Sequence, residues 1–170
     1  MMDEISELEL NETWKFVTLQ WATEVHPNCT PIKTKWVYRI KEDSQGFVSK
    51  FKSRLVAAAW NAVEGVDYYL SYAPVLRYIS KRVILARAAV NRWWCYQYDV
   101  KNAYVLAPLK EGHVVILQQP PGMVKYGPNG EQLVLFLKRG LYGLPSSGRN
   151  FADLLSDKLL GMGLKRSTVD

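Results

Sequence analysis

The sequence predicts an α+β fold, with strands and helices grouped in separate stretches rather than strictly alternating. Three observations carry this expectation. Residues 33–57 alternate in the period-2 manner of a hairpin around a turn that ends in Gly46. Residues 80–92 and 150–161 space their apolar side chains as helices do. The run Trp93-Trp94-Cys95-Tyr96-Gln97-Tyr98-Asp99 is rich in residues that suit a pleated, half-buried surface, and it ends on one carboxylate.

Taken in order, residues 2–14 place Ile5, Leu8 and Leu10 among acids, as a short amphipathic helix would. In the first hairpin strand Trp36, Tyr38 and Ile40 share one face, with Lys35, Val37, Arg39 and Lys41 on the other. Glu42-Asp43-Ser44-Gln45-Gly46 is a turn cluster. The second strand, residues 47–57, sets Lys50, Lys52 and Arg54 against Phe51, Ser53 and Leu55. Basic rows on both strands repel one another, so the pattern makes sense where phosphate neutralises it; a solvated hairpin face with incidental lysines is the plainer alternative.

Ser80 is placed to cap a helix running to about residue 92, with Val83, Ala86, Ala89 and Val90 as its buried stripe. A strand ending at Asp99 follows. Next come Val114-Val115-Ile116-Leu117, closed by Pro120-Pro121-Gly122, and a turn-rich loop at 125–130 leading into a strand at 132–138. Ser146 and Ser147 precede a last helix, residues 150–161, whose apolar side is Phe151, Leu154, Leu155, Leu159 and Leu160. Gly161 or Gly163 stops it.

Composition narrows the class. At 170 residues, 48% hydrophobic and 22% charged, the chain can bury the core of one globular domain and is not of disordered composition. The formal net charge is +6, and most of it sits between Pro31 and Arg54, where seven basic residues face two acids. Interleaved with Trp36, Tyr38 and Phe51, that block points to a polyanionic partner. The two cysteines, Cys29 and Cys95, lack metal or disulfide spacing and fit a reducing compartment. His26 and His113 have no ligand-spaced partner. The acidic start lacks the apolar segment of a signal peptide, and no apolar run approaches the ~20 residues of a membrane span. A soluble intracellular protein is expected, with no membrane partner.

The feature with the most chemical content is Gln97-Tyr98-Asp99-Val100-Lys101-Asn102-Ala103-Tyr104. In period-2 geometry Cys95, Gln97 and Asp99 share a face. A carboxylate fixed at a strand end is well placed to hold a hard divalent cation, although Asp there also serves as a turn former or helix cap.

Further blocks give that motif a context: Lys35-Trp36-Val37-Tyr38-Arg39-Ile40-Lys41, Phe51-Lys52-Ser53-Arg54-Leu55-Val56-Ala57, Glu64-Gly65-Val66-Asp67-Tyr68, Ser71-Tyr72-Ala73-Pro74-Val75, Gln119-Pro120-Pro121-Gly122 and Leu141-Tyr142-Gly143-Leu144. With the Asp99 block, in this order and at these gaps, they resemble the reverse transcriptase of Ty1/copia-type retrotransposon Pol polyproteins over about residues 14–170. The resemblance implies the fingers and the first half of the palm of a right-hand polymerase. Fingers-like segments would cover about 14–92 and 114–145, and palm-like ones about 93–113 and 146–170. The resemblance implies RNA-directed DNA synthesis by two-metal nucleotidyl transfer, with Mg2+ or Mn2+, an RNA template, a DNA primer and a dNTP as partners, together with the rest of the polyprotein. Asp99 would be the catalytic carboxylate and, with the Val100 carbonyl, a metal ligand. Lys52, Arg54 and Tyr104 would meet the nucleotide, Tyr104 beneath its sugar. Lys35, Arg39 and Lys50 would meet nucleic acid. The parent would work in the cytoplasm, within a virus-like particle, or in the nucleus.

The sequence also departs from the family. It contains no Tyr-Val-Asp-Asp block, the source of the family's other metal carboxylates, so a domain truncated before the second palm hairpin is expected. Ala58, Ala59 and Trp60 follow Leu55-Val56-Ala57 where a basic residue and Gly are usual. Val105-Leu106-Ala107, Pro145-Ser146, Gly148 and Phe151 replace other family residues near template and nucleotide. The alternative reading is a catalytically inactive remnant that binds nucleic acid without sequence preference.

Overall fold

The structure is a computed structural model that describes residues 1–61 and 71–167. The block at 64–68 and the last three residues lie outside the described residues. The elements run α1 (Met2–Leu10), β1 (Trp14–Thr18), α2 (Leu19–Val25), β2 (Thr34–Glu42), β3 (Val48–Ala57), a 3-10 turn (Ala59–Asn61), α3 (Tyr78–Val90), α4 (Ala103–Leu106), β4 (Ile116–Leu117), β5 (Leu133–Leu137) and α5 (Ser147–Gly161). The mixed architecture agrees with the expected α+β class.

Two antiparallel sheets organise the chain: a three-stranded sheet in the order β1-β5-β4 and the two-stranded ribbon β2-β3. Strand β5 is central. Leu135 lies opposite Phe16 of β1 on one side and Leu117 of β4 on the other. Alternation gives the sheet two apolar faces. Leu117, Leu135 and Leu137 face a core built with Ile5 and Leu8 of α1, Leu55 of the ribbon, Val105 of α4, and Leu141. Ile116 and Val134 face the other way, against Ala22 of α2, with Trp21 and Phe136 at the margin.

Backbone bonds tie the ribbon to this core. Ile32 N–H donates to Ile116 O at 2.9 Å, and Gln118 N–H to Ile32 O at 2.8 Å. Thr34 Oγ1 bonds Gln119 O at 3.2 Å and Trp36 Nε1 bonds Pro121 O at 3.2 Å, so the Gln119–Gly122 loop clamps the ribbon's base. The distal turn is closed by Asp43, whose Oδ1 accepts from Gln45 and Phe47 N–H at 2.9 and 3.0 Å. Gly46, at φ +84°, takes the left-handed position there.

Several expectations need correction. The strand ending at Asp99 does not form: residues 93–100 are irregular and exposed, with Trp94, Tyr96 and Tyr98 at 88%, 76% and 85% exposure. Strand propensity needs a neighbouring strand to take its backbone bonds, and none among the described residues pairs here. The following helix-like expectation for 80–92 is shifted: α3 begins at Tyr78 with Arg77, not Ser80, as N-cap. Of α3 only Ala88 is buried, while Val83 and Val90 of the expected stripe are exposed. Ser146 does precede α5, which starts three residues earlier than expected, at Ser147; Leu155, Leu159 and Leu160 stay exposed. Leu10 points to solvent, whereas Ile5 and Leu8 are buried as expected. β1, α2 and α4 were not foreseen.

The folding energy therefore concentrates in the β5-centred core. Leu135→Ala should destabilise by about 2–5 kcal/mol, from lost transfer energy plus a residual cavity. Val90→Ala, on an exposed helix face, should stay within about 0.5 kcal/mol. Urea titrations followed by far-UV circular dichroism measure both; equal effects would place the core elsewhere.

A candidate nucleotide and nucleic-acid cleft

The ribbon's register creates a strongly basic face. Arg39 stands directly opposite Lys52 and Lys41 opposite Lys50, with Arg54 opposite Val37 and Lys35 opposite Val56. The two like-charged pairs each cost about 0.2–1 kcal/mol unless an anion lies between them. The sequence-derived basic residues Lys35, Arg39, Lys50, Lys52 and Arg54 thus share one surface.

A cleft of about 380 Å³ opens beside this surface. Lys50, Lys52 and Arg54 line one wall, and Asp99, Val100, Lys101 and Asn102 line another. Asp99 is exposed at the end of the irregular segment. The chain then turns sharply: Asn102 adopts φ +54°, ψ +37° and starts α4, which carries Tyr104. Asn is among the few side chains that tolerate this left-handed region. Val105, one residue on, is buried and anchors the turn to the core.

Tyr104 does not line the cleft directly; Tyr142 joins it to the ribbon. The Tyr104 and Tyr142 rings meet edge to face at 4.9 Å, and the Arg54 guanidinium lies over the Tyr142 ring at 5.3 Å. Such contacts are worth about 0.5–1.5 kcal/mol each. Ala57 N–H donates to Tyr142 O at 2.8 Å, which fixes the 141–144 loop against the end of β3. Lys35 lies apart from the cleft, over the exposed Trp60 ring at 4.8 Å.

The third wall belongs to α1. Its Glu7 accepts hydrogen bonds from Lys101 Nζ and, at 2.6 Å, from Asn102 Nδ2. Those bonds hold the Glu7 carboxyl below its usual range. Glu4 sits deeper between α1 and β3, and burial pushes its carboxyl up, opposed by the Leu55 N–H, Lys52 and Arg54. Glu4, Glu7 and Tyr142 were not singled out from sequence. Tyr142 stood within a quoted motif, but the two acids gave only helical spacing as a signal.

On the turn wall the hard-cation donors are the Asp99 carboxylate and the Val100 carbonyl, while the Asp3, Glu4 and Glu7 carboxylates line the α1 wall. No group of three or more His, Cys, Asp or Glu among the described residues is placed to hold a metal ion. The donors present therefore do not fit a two-metal centre, which requires several carboxylate oxygens. No helix among the described residues is long and apolar enough to cross a membrane.

A basic β-ribbon and a carboxylate-bearing turn around one cleft, with Tyr142 beside them, suit phosphate-rich ligands. The reverse transcriptase (RNA-dependent DNA polymerase) family matches residues 11–170, and the chain belongs to that family. It is similar to the retrovirus-related Pol polyprotein from transposon RE1 of Arabidopsis thaliana, 32% identical over 161 residues, 94% of this chain and 10% of that protein. The corresponding polyprotein from transposon RE2 of the same plant is 31% identical over 160 residues, again 94% of this chain and 10% of the relative. The Pol polyprotein from transposon TNT 1-94 of Nicotiana tabacum is 31% identical over 151 residues, 89% of this chain and 11% of its own length. The Ty1/copia-type assignment made from the ordered motifs is thus correct. The chain spans about a tenth of the length of these curated relatives. No solved structure matches it significantly.

Gly143 carries a precise constraint on the cleft. It sits at φ +88°, and a Cβ there would stand 2.1 Å from Ala57 O. Gly143→Ala should cost upwards of about 1–3 kcal/mol and displace Tyr142 from Arg54. Thermal melts and the near-UV tyrosine signal check this, with Gly161→Ala as an unhindered control. An unchanged melt in Gly143→Ala would contradict the packing described.

Proposed function

We propose that this chain is a fragment of the RNA-directed DNA polymerase of a copia-type retrotransposon, contributing fingers and part of the palm. One observation carries the reading: Asp99 and Val100 stand on the same cleft as Lys50, Lys52 and Arg54. In that reading the ribbon neutralises triphosphate and template phosphates, with Arg54 forking onto two oxygens where Lys52 acts as a point charge. Tyr104, braced by Tyr142, lies beneath the nucleotide sugar. Asp99 and the Val100 carbonyl would hold magnesium or manganese, which in such enzymes activates the primer hydroxyl and steadies the leaving pyrophosphate. The remaining carboxylates would come from elsewhere in the parent polyprotein. The RNA template, DNA primer, dNTP and the other Pol segments are the partners of that parent, in a cytoplasmic particle or the nucleus.

A second reading, a catalytically inactive module that binds nucleic acid through the ribbon alone, is favoured by the exposed, irregular setting of Asp99. Both readings require the ribbon to bind polyanions. The chain should bind single-stranded RNA and DNA without sequence preference, with affinity falling as added salt reduces the gain from counterion release. Replacing Lys50, Lys52 and Arg54 by Ala should flatten the slope of log affinity against log salt. An unchanged slope in the folded triple variant would sink the ribbon assignment. Primer extension by the 170-residue chain with magnesium or manganese should be undetectable; measurable extension would refute the incomplete donor set.

A further inference from the structure

The basic wall of the cleft is not open to solvent alone, because α1 brings acids against it. Glu4 and Glu7 both line the cleft together with Lys50, Lys52 and Arg54. Glu4 feels the charges of Lys52 and Arg54, and Glu7 that of Lys50. Glu7 also bonds Lys101 and Asn102, across the cleft from the ribbon. The carboxylates therefore face the same cleft as the ribbon, where phosphate oxygens would enter. They are held there by structure rather than by chance, since Ile5 and Leu8 of the same helix are buried in the main core. Asp3 of the same helix also lines the cleft, whereas Glu9 pairs with Lys125 at 2.9 Å and Glu12 with Lys138 at 3.6 Å, and neither of these two lines it.

We propose that Glu4 and Glu7 act as internal counter-anions that set the specificity of the cleft, so that a ligand has to compete with them for the charge of the ribbon. The inference rests on the reading of the ribbon as a polyanion site. It has a chemical consequence. A ligand with one phosphate replaces the two carboxylates poorly, whereas closely spaced phosphates, as in a nucleic-acid backbone or a triphosphate, offer several anions at once. Helix α1 thus works as a filter that favours multivalent phosphates and weakens the grip on all of them. The ligand gains less than the bare ribbon would give, because part of the ribbon's charge is already compensated within the protein.

The test compares four proteins: the unmodified chain, Glu4→Gln/Glu7→Gln, a control with the same charge change, Glu9→Gln/Glu12→Gln, and Lys50→Ala/Lys52→Ala/Arg54→Ala. A fluorescein-labelled oligo(dT) is the probe, read by anisotropy across a potassium chloride series, with inorganic phosphate and inorganic tripolyphosphate as competitors. The Glu4/Glu7 variant should bind the oligonucleotide about threefold to tenfold more tightly at low salt, with a steeper salt slope, and the gain should shrink as screening rises. Competition by inorganic phosphate should improve more than competition by tripolyphosphate. The Glu9/Glu12 variant should bind nearly as the unmodified chain does. Equal gains in the two acid variants would reduce the effect to net charge and overturn the proposal, as would no gain in a folded Glu4/Glu7 variant. Should that double variant fail to fold, as judged by circular dichroism, the single Glu4→Gln and Glu7→Gln variants carry the same comparison. Unchanged oligonucleotide binding and an unchanged salt slope in the folded ribbon variant would instead overturn the ribbon reading, a distinct outcome.

Discussion

The three walls of the cleft lean on strand β5. Its Leu135 sits between Phe16 of β1 and Leu117 of β4, and is fully buried. Through Leu55 the same core holds the base of the ribbon, through Ile5 and Leu8 it holds α1, and through Val105 the turn that follows Asp99. The three walls of the cleft are thus positioned by one apolar cluster. Charge decides what the cleft binds, but burial decides where the charges stand. Fully burying a Leu or Ile side chain contributes about 1.5–3 kcal/mol, against about 0–1 for an exposed ion pair. The Lys101–Glu7 bridge, with a largely exposed lysine, orients the turn more than it stabilises the fold.

The ribbon shows the opposite balance. It carries two directly opposed like-charged pairs, and beyond its base both faces are exposed, including Phe51, Tyr38 and Ile40. An isolated two-stranded hairpin is marginal in water. Its base is secured by Thr34, Trp36 and Leu55, while its distal half relies on the ladder and the Asp43 turn. Such a ribbon gains from any anion that lies along it, whether a phosphate or the carboxylates of α1.

The ribbon, its turn and the burial of Ile5 and Leu8 were legible in the sequence, because period-2 alternation, a Gly-ended acidic turn and helical spacing are local signals. The ordered motifs singled out Asp99 and the basic row separately, with the ribbon taken as distant from Asp99; that they meet on one cleft emerges only from the fold. The part played by Glu7 could not be read: its partners, Lys101 and Asn102, lie 94 and 95 residues away. Tyr142 likewise acquires its role only when β3 brings Arg54 over its ring. The misplaced strand at 93–99 failed for a different reason. Propensity reports how well a residue fits a sheet, and it cannot supply the neighbour that completes one. The stripe on α3 failed in the same way, since its spacing was helical but nothing among the described residues covers it.

That segment bears directly on the chemistry. A metal carboxylate must be held to within about 0.5 Å to be useful, and rigid elements achieve this better than loops. Asp99 is fixed from one side only, by the Asn102 turn and its bonds to Glu7. On the other side run six exposed residues, 93–98, without regular structure. Ordering their backbones into a strand would cost on the order of 10 kcal/mol in conformational entropy. Covering Trp94, Tyr96 and Tyr98 would return about 1.5–3 kcal/mol each, and the ladder bonds about 0.5–1.5 kcal/mol each. The aromatics alone fall short, so a covering layer is insufficient. Aromatic burial and strand pairing have to arrive together, from a partner that offers both an apolar face and a free strand edge. In the polymerase reading proposed above, Asp99 until then lends charge to the cleft without the fixed geometry that such a role would require.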